Sequence, residues 1–441
     1  MASTPRQTLT EGLESRTSVV GVLGLGYVGL PLALTFVEAD YTVLGFDIDE
    51  EKVDRINRGS SYLSHLDQDR VSRAVESGSL GATADFDRVE EPDALLICVP
   101  TPLTPQREPE LKYVLHTVRS VAEALRPGQL VVLESTTYPG TTEELVLPAL
   151  ESSGLRCGTE FFLAYSPERE DPGNRSYRTR DIPKVIGGID EVSGELAVRL
   201  YEGVVQSTVL LGSARAAEAT KLTENIFRAV NIALVNELKV VYDRLGIDVW
   251  EVLDAASTKP FGFMRFEPGP GWGGHCVPLD PFYLSWKARE FGVSARFVEL
   301  AGEVNWQVRR HVLRKLQEAL NERGKPLRGS RILILGLAYK RDVADPRESP
   351  SFHFIDELRS RGAEVLYHDP LIPEAPSMRS WPDLPPMESV PLTPELLEEL
   401  DAVLLLTDHS SVDYEMVSRH APLIVDSRGV YRGEGENVVG A

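Results

Sequence analysis

Short apolar runs rich in β-branched residues recur along the first half of the chain, and segments with apolar positions at helical spacing lie between them. The clearest runs span residues 18–23, 41–46, 94–99, 130–136 and 161–166. A helical segment at 111–125 separates two of them. Strands buried on both faces are continuous in apolar residues, and strands that alternate with helices form parallel sheets. The pattern therefore predicts an α/β fold built on a doubly wound parallel sheet.

The same pattern starts again near the end of the chain. After a glycine- and proline-containing stretch at 324–329, apolar runs follow at 331–335, 364–367, 402–406 and 423–425, with a helical segment at 352–361. These runs predict a second α/β unit, with 324–329 as the linker that precedes it. The proline-rich residues 369–394 are predicted to form a loop.

The middle of the chain has a different periodicity. No glycine or proline interrupts the helical spacing of Ala214–Leu245, which predicts one long central helix that ends at Gly246. A second helical segment follows at 309–320. The chain is thus predicted to divide into a flexible tail (1–16), a first α/β domain (17–212), a central helical domain (213–325) and a second α/β domain (326–441).

Composition and charge narrow the classes of partner. The net charge of −21 argues against nucleic acid or an anionic membrane as a partner, because both require clustered basic surface. Cys98, Cys157 and Cys276 are too few and too scattered for a disulfide framework or a zinc site, which favours a reducing cytoplasm and no metal. The uncharged stretch 17–37 is interrupted by glycines and a proline, and 1–16 has no apolar signal-peptide core.

A glycine motif follows the first apolar run. Gly24, Gly26 and Gly29 form G-x-G-x-x-G between a predicted strand and a predicted helix, the context in which this motif binds a dinucleotide pyrophosphate. Asp47 ends the next predicted strand at the spacing expected for a carboxylate that accepts hydrogen bonds from ribose hydroxyls. An acid there favours NAD over NADP, because it repels a 2′-phosphate. The alternative is that Asp47 only caps the next helix.

Cys276 lies in an unusual setting. Residues 268–280 place this thiol among four glycines and three prolines, beside His275 and Asp280. Such a loop allows close approach of a ligand, and a nucleophilic thiolate needs backbone donors, polar neighbours and substrate access. We therefore predict a catalytic cysteine. The alternative is a buried thiol that packs as a small apolar side chain.

Further polar residues occur where ligands bind in α/β proteins. In open parallel sheets, ligands bind beyond the carboxyl ends of the strands. The candidates at predicted strand ends are Thr101, Thr136 and Glu168, and in the last domain Lys340, Arg341, Arg347 and Arg428. Lys221 and Asn225 are four residues apart and share one face of the long helix. Turn formation or solvation is the alternative for each.

Taken together, the motifs resemble those of the nucleotide-sugar 6-dehydrogenases, the UDP-glucose/GDP-mannose dehydrogenase family, over nearly the whole chain. They occur in the family's order: Gly24-Leu-Gly-Tyr-Val-Gly-Leu-Pro31, Glu134-Ser-Thr-Thr-Tyr-Pro-Gly140, Ser166-Pro-Glu168, Lys221-Leu-Thr-Glu-Asn225 and Gly273-Gly-His-Cys-Val-Pro-Leu-Asp280. Residues 165–174 and 258–263 most resemble the branch that oxidises UDP-N-acetylglucosamine, with UDP-glucose as the second candidate.

The resemblance implies two Rossmann-like domains, the first binding NAD and the second the UDP half of a UDP-sugar, and a homodimer or higher homo-oligomer packed along the central helix. It implies catalytic roles for Cys276, Lys221, Asn225, Glu168, Asp280 and Thr136. It implies cofactor contacts from Gly24, Gly26, Tyr27, Val28, Gly29, Asp47, Thr101, Thr136 and Arg347. It implies substrate contacts from Glu168, Arg169, Lys221, Asn225, Phe261, Gly273, Lys340 and Arg428.

The implied reaction removes four electrons from a primary alcohol, so two hydrides pass in turn to two NAD molecules. The Cys276 thiolate would hold the aldehyde as a thiohemiacetal, whose oxidation gives a thioester that water hydrolyses. Glu168, or Asp280 through a water, is the candidate base. Lys221 and Asn225 are candidates for oxyanion stabilisation, with Lys221 alternatively the base of the first step.

Two other functions compete with the dehydrogenase. Tyr283 and Lys287 match the Tyr-x-x-x-Lys pair of NAD-dependent nucleotide-sugar epimerases, although they follow the long helix instead of lying in the first α/β unit. A non-catalytic nucleotide-binding scaffold would also have two α/β units, but it leaves the setting of Cys276 without a purpose.

Overall fold

The computed structural model describes residues 4–63, 66–104, 106–169, 179–274, 277–378 and 380–441. Within these residues the chain forms two compact units. The first comprises Met1–Glu224 and Phe282–Val293, and the second comprises Asn225–Pro281 and Ser294–Ala441.

The first unit is built on an eight-stranded sheet. Its strands are β1 (Val19–Leu23), β2 (Thr42–Phe46), β3 (Leu80–Thr83), β4 (Ala94–Ile97), β5 (Leu130–Leu133), β6 (Phe162–Tyr165), β7 (Lys184–Gly188) and β8 (Thr208–Leu211). The spatial order is β3-β2-β1-β4-β5-β6-β7-β8. All neighbouring strands are parallel except β6 and β7, which pair antiparallel. The order reverses beside β1, and at such a switch point the strand ends leave a crevice for a ligand.

In the described part of the chain, the α-helices before the long helix are α1 (Pro5–Ser15), α2 (Gly29–Glu38), α3 (Glu50–Asn57), α4 (Gln68–Glu76), α5 (Lys112–Ala124), α6 (Leu147–Glu151) and α7 (Glu191–Tyr201). Most apolar residues of strands β1 to β7 belong to two buried clusters, which together account for the uninterrupted apolar runs in the sequence.

The prediction of a flexible tail at 1–16 is wrong, because α1 occupies most of it. Thr4 and Gln7 form a reciprocal capping box, and Pro5 provides a helix-compatible first residue. Leu9 and Leu13, one turn apart, are buried in the core of the first unit. Burying two leucines stabilises the helix by a few kcal/mol, on the order of 1.5–3 kcal/mol per side chain.

The predicted long helix is confirmed as α8 (Ala214–Leu245). Gly246, at φ +70°, follows it in the left-handed conformation that ends many helices. The described residues that follow form helices α9 (Val249–Ser257), α10 (Asp280–Glu290) and α11 (Arg296–Glu322). The last of these is much longer than the 309–320 segment in the sequence pattern. Among the described residues, no helix has both the length and the apolar character to cross a bilayer.

A second, five-stranded parallel sheet lies in the second unit. It contains β9 (Arg331–Leu335), β10 (Glu364–His368), β11 (Ala402–Leu405), β12 (Ile424–Asp426) and β13 (Val438–Gly440), in the order β10-β9-β11-β12-β13. Its remaining helices are α12 (Pro350–Ser360), α13 (Pro394–Glu399) and α14 (Tyr414–His420). The predicted α/β fold, with two doubly wound sheets and one long helix, is thus confirmed.

Candidate active site

The glycine motif forms the turn between β1 and α2. Gly24 has φ +94°, and a Cβ there would lie 2.8 Å from the Cys98 carbonyl oxygen. A Cβ at Gly29 would lie 1.8 Å from the carbonyl oxygen of Gly24. A Cβ at Gly26 would meet nothing within 4 Å, so this turn leaves open space where a pyrophosphate can approach the backbone. Val28 is the N-cap residue of α2 and Tyr27 is exposed. The turn therefore fits a dinucleotide at the positive end of the α2 dipole.

Asp47, directly after β2, is buried beside this turn. Its Oδ2 accepts a hydrogen bond from the Leu25 N–H at 3.0 Å, and its Oδ1 accepts one from the Asp49 N–H at 3.0 Å. The Lys52 ammonium lies 3.6 Å from Oδ2. The cap of α3 is Asp49, which accepts from Glu51 and Lys52, so the helix-capping alternative for Asp47 is wrong.

Two further cofactor candidates follow strands of the same sheet. Thr101, after β4, is buried and its carbonyl oxygen accepts the Tyr283 hydroxyl at 2.6 Å. Thr136, after β5, is half-buried. The turn that follows Thr136 is stabilised by the buried carboxylate of Glu218, which accepts hydrogen bonds from the N–H groups of Gly140 at 2.5 Å and Thr142 at 2.9 Å. Burial raises the pKa of Glu218 to about 7.

Glu168 and Lys221 meet in the first unit. The Lys221 ammonium donates to the Glu168 carbonyl oxygen at 2.5 Å, and both residues are buried. The Glu168 carboxylate accepts from the Arg169 N–H at 2.7 Å and forms an ion pair with Lys184 at 3.2 Å. Arg169 itself pairs with Glu224 at 2.6 Å.

Lys184 is a site residue that the motifs did not predict. It is the first residue of β7, is 4% exposed, and pairs with Glu134 at 2.6 Å as well as with Glu168. Burial opposes its charge, yet the two carboxylates keep the pKa of Lys184 above its ordinary value. Burial raises the pKa of Glu134 in spite of this partner. The signal in the sequence was a charged residue at the start of an otherwise apolar, β-branched run.

In the second unit, Asn225 contacts Asp280. The Asn225 side-chain amide donates to Asp280 Oδ2, and its oxygen accepts from the Arg228 guanidinium. Asn225 lies on α8 and is fully buried, whereas Asp280 begins α10, four residues after Cys276. His275 and Cys276 lie outside the described residues.

The glycine loop that precedes Cys276 packs against Tyr339, which lies in the segment between β9 and α12. A Cβ at Gly273 would lie 2.8 Å from Tyr339 Cβ, and one at Gly274 would lie 2.9 Å from the same ring. The Gly274 N–H donates to the Arg347 carbonyl oxygen at 3.1 Å. Gly269 is hydrogen-bonded to α8, since its N–H donates to the side-chain oxygen of Asn236 at 2.8 Å. Only glycine fits at this contact with Tyr339, which accounts for the Gly-Gly pair.

Two of the predicted ligand-binding cations of the last domain, Arg347 and Arg428, contact carboxylates. The Arg428 Nε lies 3.1 Å from Asp408 Oδ1, and the Arg347 guanidinium binds both oxygens of Asp345 at 2.6 to 3.0 Å. Lys340 is half-buried, Arg341 is exposed, and Phe261 is 70% exposed on its loop. Phosphate contacts by these cations remain predictions.

Tyr283 and Lys287, the pair expected for an epimerase, form hydrogen bonds with different partners. The Tyr283 hydroxyl is buried and donates to the Thr101 carbonyl oxygen, whereas the Lys287 ammonium binds Glu144 at 2.6 Å and Glu290 at 2.8 Å. A tyrosine whose proton is directed at a backbone oxygen is unsuited to act as the acid–base group of an epimerase.

Comparison with known proteins agrees with this architecture. Three models of the UDP-glucose/GDP-mannose dehydrogenase family match in succession: the NAD binding domain at 18–206, the central domain at 215–307 and the UDP binding domain at 333–433.

Three relatives are similar over most of their length. UDP-N-acetyl-D-mannosamine dehydrogenase of Pyrococcus horikoshii is 36% identical over 422 residues, which cover 94% of this chain and 96% of the relative. A solved structure of a UDP-N-acetyl-D-mannosamine dehydrogenase from Pyrococcus horikoshii has a TM-score of 0.86 at 33% identity and covers 96% of this chain and 98% of that one. UDP-N-acetyl-D-glucosamine 6-dehydrogenase of Pseudomonas aeruginosa is 36% identical over 82% of this chain and 85% of the relative. The structure of a UDP-glucose dehydrogenase from Pyrobaculum islandicum has a TM-score of 0.83 at 29% identity and covers 96% of this chain and 97% of that one. The dinucleotide turn, the two sheets and these matches together show that the chain belongs to the UDP-glucose/GDP-mannose dehydrogenase family and is an NAD-dependent nucleotide-sugar dehydrogenase.

Proposed function

We propose that the protein oxidises the C6 hydroxyl of a UDP-N-acetylhexosamine, UDP-N-acetylglucosamine in the first instance, to the 6-carboxylate. The two relatives of highest identity described above act, by their names, on UDP-N-acetyl sugars, one the manno and one the gluco epimer. Residues 258–263, by their likeness to the N-acetylglucosamine branch, favour the gluco sugar.

The observation that carries the proposal is the hydrogen bond between Asn225 and Asp280. It ties Asp280, the first residue of α10, to the long helix and orients its carboxylate, and in the sequence Asp280 follows Cys276 by four residues. A dehydrogenase that forms a covalent intermediate requires a thiol held in a shaped loop with polar groups around it. A passive nucleotide-binding scaffold requires none of this.

The reaction begins when a base takes the proton of the C6 hydroxyl and C6 loses a hydride. NAD bound at the first glycine turn would accept this hydride, and a second NAD molecule, bound there after the first NADH has left, would accept the next. The Cys276 thiolate then attacks the aldehyde carbon, forming a C–S bond and an oxyanion that Lys221 and Asn225 stabilise. The thiohemiacetal carbon then loses the second hydride while a base removes the proton of its hydroxyl, and this carbon becomes the carbonyl carbon of a thioester.

Hydrolysis completes the sequence. Glu168 accepts a proton from water, whose oxygen attacks the thioester carbonyl carbon; the C–S bond breaks and the Cys276 thiolate leaves. Lys221 contributes to the positioning of Glu168 through its bond to the Glu168 carbonyl oxygen. Asp280, acting through a water, is the second candidate for the base.

The test is the stoichiometry of NADH across UDP-glucose, UDP-N-acetylglucosamine and UDP-N-acetylmannosamine. We expect two NADH per molecule of UDP-N-acetylglucosamine. Faster turnover of UDP-glucose would favour that sugar, as the likeness to the Pyrobaculum islandicum enzyme allows. Cys276→Ser should stop after at most one hydride, and Glu168→Gln should accumulate a sugar adduct on Cys276. One NADH per sugar with release of free aldehyde would contradict the covalent route.

The division into domains at 17–212, 213–325 and 326–441 is part of the proposal, as are a cytoplasmic location and a homodimer packed along α8. Phe227, Leu234 and Val241 are exposed at intervals of seven residues, so they form one apolar stripe on that helix. An exposed stripe of this kind favours a protein partner, and a second copy of the same helix is complementary to it. Leu234→Asp should halve the mass in sedimentation equilibrium, and a wild-type monomer would rule out the dimer.

A further inference from the structure

A buried charged cluster lies at the ends of β5 and β6 and the start of β7. Lys184 is at its centre and pairs with Glu134 at 2.6 Å and with Glu168 at 3.2 Å. The side chains of Lys184 and Glu134 are 5% and 0% exposed. The Tyr201 hydroxyl, from the end of α7, donates to the second oxygen of Glu134, and the Lys184 ammonium lies 5.2 Å from the centre of the Tyr201 ring.

Among the described residues, two carboxylates of this cluster, those of Glu134 and Glu168, share one ammonium, that of Lys184. A buried carboxylate is stable as an anion only with a cation or several hydrogen-bond donors nearby. The Glu134 carboxylate accepts hydrogen bonds from Lys184 and Tyr201. The same Lys184 ammonium also donates to the Glu168 carboxylate. Glu134 and Glu168 therefore compete for the same positive charge.

Other titratable and charged groups face this cluster from the elements around it. Cys98, after β4, is buried near Glu134, and burial raises the pKa of its thiol well above the ordinary value, so it is neutral. Lys221, from α8, binds the backbone of Glu168 and not its carboxylate. Arg169 is neutralised by Glu224. Among the described residues, Lys184 is thus the cation that pairs with the Glu168 carboxylate.

We propose that Lys184 is a positioning residue that keeps the Glu168 carboxylate ionised and oriented for the hydrolytic step, and that Glu134, by sharing Lys184, determines how basic Glu168 is. This inference rests on the proposed function, in which Glu168 removes a proton from water. If Glu134 were absent, Lys184 would pair with Glu168 alone. Its full charge would then stabilise the Glu168 carboxylate and make Glu168 a weaker base. If Lys184 were absent, one proton would be taken up by the two carboxylates.

The experiment measures the rate at which the sugar adduct on Cys276 breaks down as a function of pH. Enzyme, UDP-N-acetylglucosamine and NAD are mixed between pH 5 and 9, quenched in acid and analysed by intact mass. In a plot of the breakdown rate against pH, the acid limb is the low-pH side, where the rate rises as the base loses its proton. For Lys184→Met we expect this limb to shift to higher pH by about 1 unit, so that breakdown at a given low pH is about tenfold slower than in the wild type. For Glu134→Gln we expect the limb to move down. Lys184→Arg, which keeps the charge, should restore the limb toward the wild-type position.

Lys287→Met is the matched control, because it also removes a buried lysine of the first unit that pairs with two glutamates. Its acid limb should stay at the wild-type pH. If Lys184→Met does not fold, the pH dependence of adduct breakdown in Glu134→Gln tests the inference instead, since this variant keeps the lysine and removes one buried charge.

A folded Lys184→Met enzyme with an unshifted limb, or a Glu134→Gln limb that moves up, would overturn this inference while the two-NADH reaction stands. If the wild type forms NADH but never an adduct, the covalent route is wrong and this inference is wrong with it.

Discussion

The two sheets begin with nearly the same turn and use it differently. In the first, Gly24 at φ +94° follows β1 and donates its N–H to the Phe46 carbonyl oxygen at 2.8 Å. In the second, Gly336 at φ +93° follows β9 and donates to the His368 carbonyl oxygen at 2.9 Å. A Cβ at either glycine would lie less than 3 Å from the backbone of the neighbouring strand's end. The first glycine of each turn is thus required by the fold.

The turns differ two residues later. Gly26 has open space around it, whereas Ala338, at the matching position, is fully buried and its carbonyl oxygen accepts the Thr407 hydroxyl at 2.6 Å. The first turn leaves the space that a pyrophosphate needs, and the second fills it with side chains of the protein. A glycine required by a ligand can therefore be distinguished from one required by the fold.

The acids after the second strand of each sheet differ in the same way. Asp369, after β10, accepts hydrogen bonds from four backbone N–H groups, of Leu337, Ala338, Leu371 and Ile372, and contacts His409 at 3.1 Å. Burial opposes its charge, but His409 and these donors leave the pKa of Asp369 below its ordinary value. Asp47 accepts from two backbone N–H groups. A carboxylate has about four lone-pair sites, so Asp47 has capacity left for ribose hydroxyls and Asp369 does not.

Gly29→Ala should have the largest effect, because its methyl carbon would lie 1.8 Å from the Gly24 carbonyl oxygen. The backbone of the turn would have to move, at a cost of about 3 kcal/mol in the free energy of unfolding. Urea denaturation measures this loss, and NAD binding should disappear with it. Gly212→Ala, where a Cβ would meet nothing within 4 Å, is the control. Equal stability of the two variants would show that α2 does not pack on β1 through Gly29.

Asp47→Ala should weaken NAD binding by about 2 kcal/mol, or roughly thirtyfold, since hydrogen bonds from the ribose hydroxyls to a charged acceptor are lost. UDP-sugar binding should change little. Asp369→Ala should leave the affinity for NAD unchanged and lower the free energy of unfolding, because four backbone donors lose their acceptor. Isothermal titration with NAD and urea denaturation separate the two results, and a loss of NAD affinity in Asp369→Ala would contradict the division of roles.

Much of this contrast could be predicted from the sequence. The G-x-G-x-x-G motif, its flanking strand and helix, and Asp47 are local signals, and α8 is long, periodic and free of glycine and proline, so its bounds were predicted correctly. The NAD-binding domain and the family are confirmed by the family models. The roles of individual site residues stay predictions.

The missed features depend on contacts between segments far apart in the sequence. Helix α1 forms because Leu9 and Leu13 find an apolar surface, and nothing in residues 1–16 reveals that surface. Lys184 enters the site because the sheet order brings the start of β7 beside the ends of β5 and β6. Its partners Glu134 and Glu168 lie 50 and 16 residues away in the chain.

Gly26→Ala should reduce the affinity for NAD by about tenfold without changing the free energy of unfolding. The new methyl group meets no protein atom within 4 Å, so the fold is not strained. It would instead occupy the space where the pyrophosphate approaches the backbone, and the loss of one charge-assisted hydrogen bond is worth about 1.5 kcal/mol. Unchanged NAD affinity would show that the pyrophosphate binds elsewhere, whereas a lower melting temperature would show that the space is used by the protein.

Ala338→Gly removes a methyl group from the second turn, the reverse of the change made at Gly26 in the first, and should have the smallest effect. Removing a fully buried methyl group and freeing the backbone should lower the free energy of unfolding by about 1 kcal/mol, measured in urea. NAD stoichiometry should stay the same, because Asp369 and His409 still fill the region where a second dinucleotide would have to bind. A second NAD per chain in this variant would mean that one methyl group is enough to close the second turn, and the contrast between the two sheets would then rest on Ala338 alone.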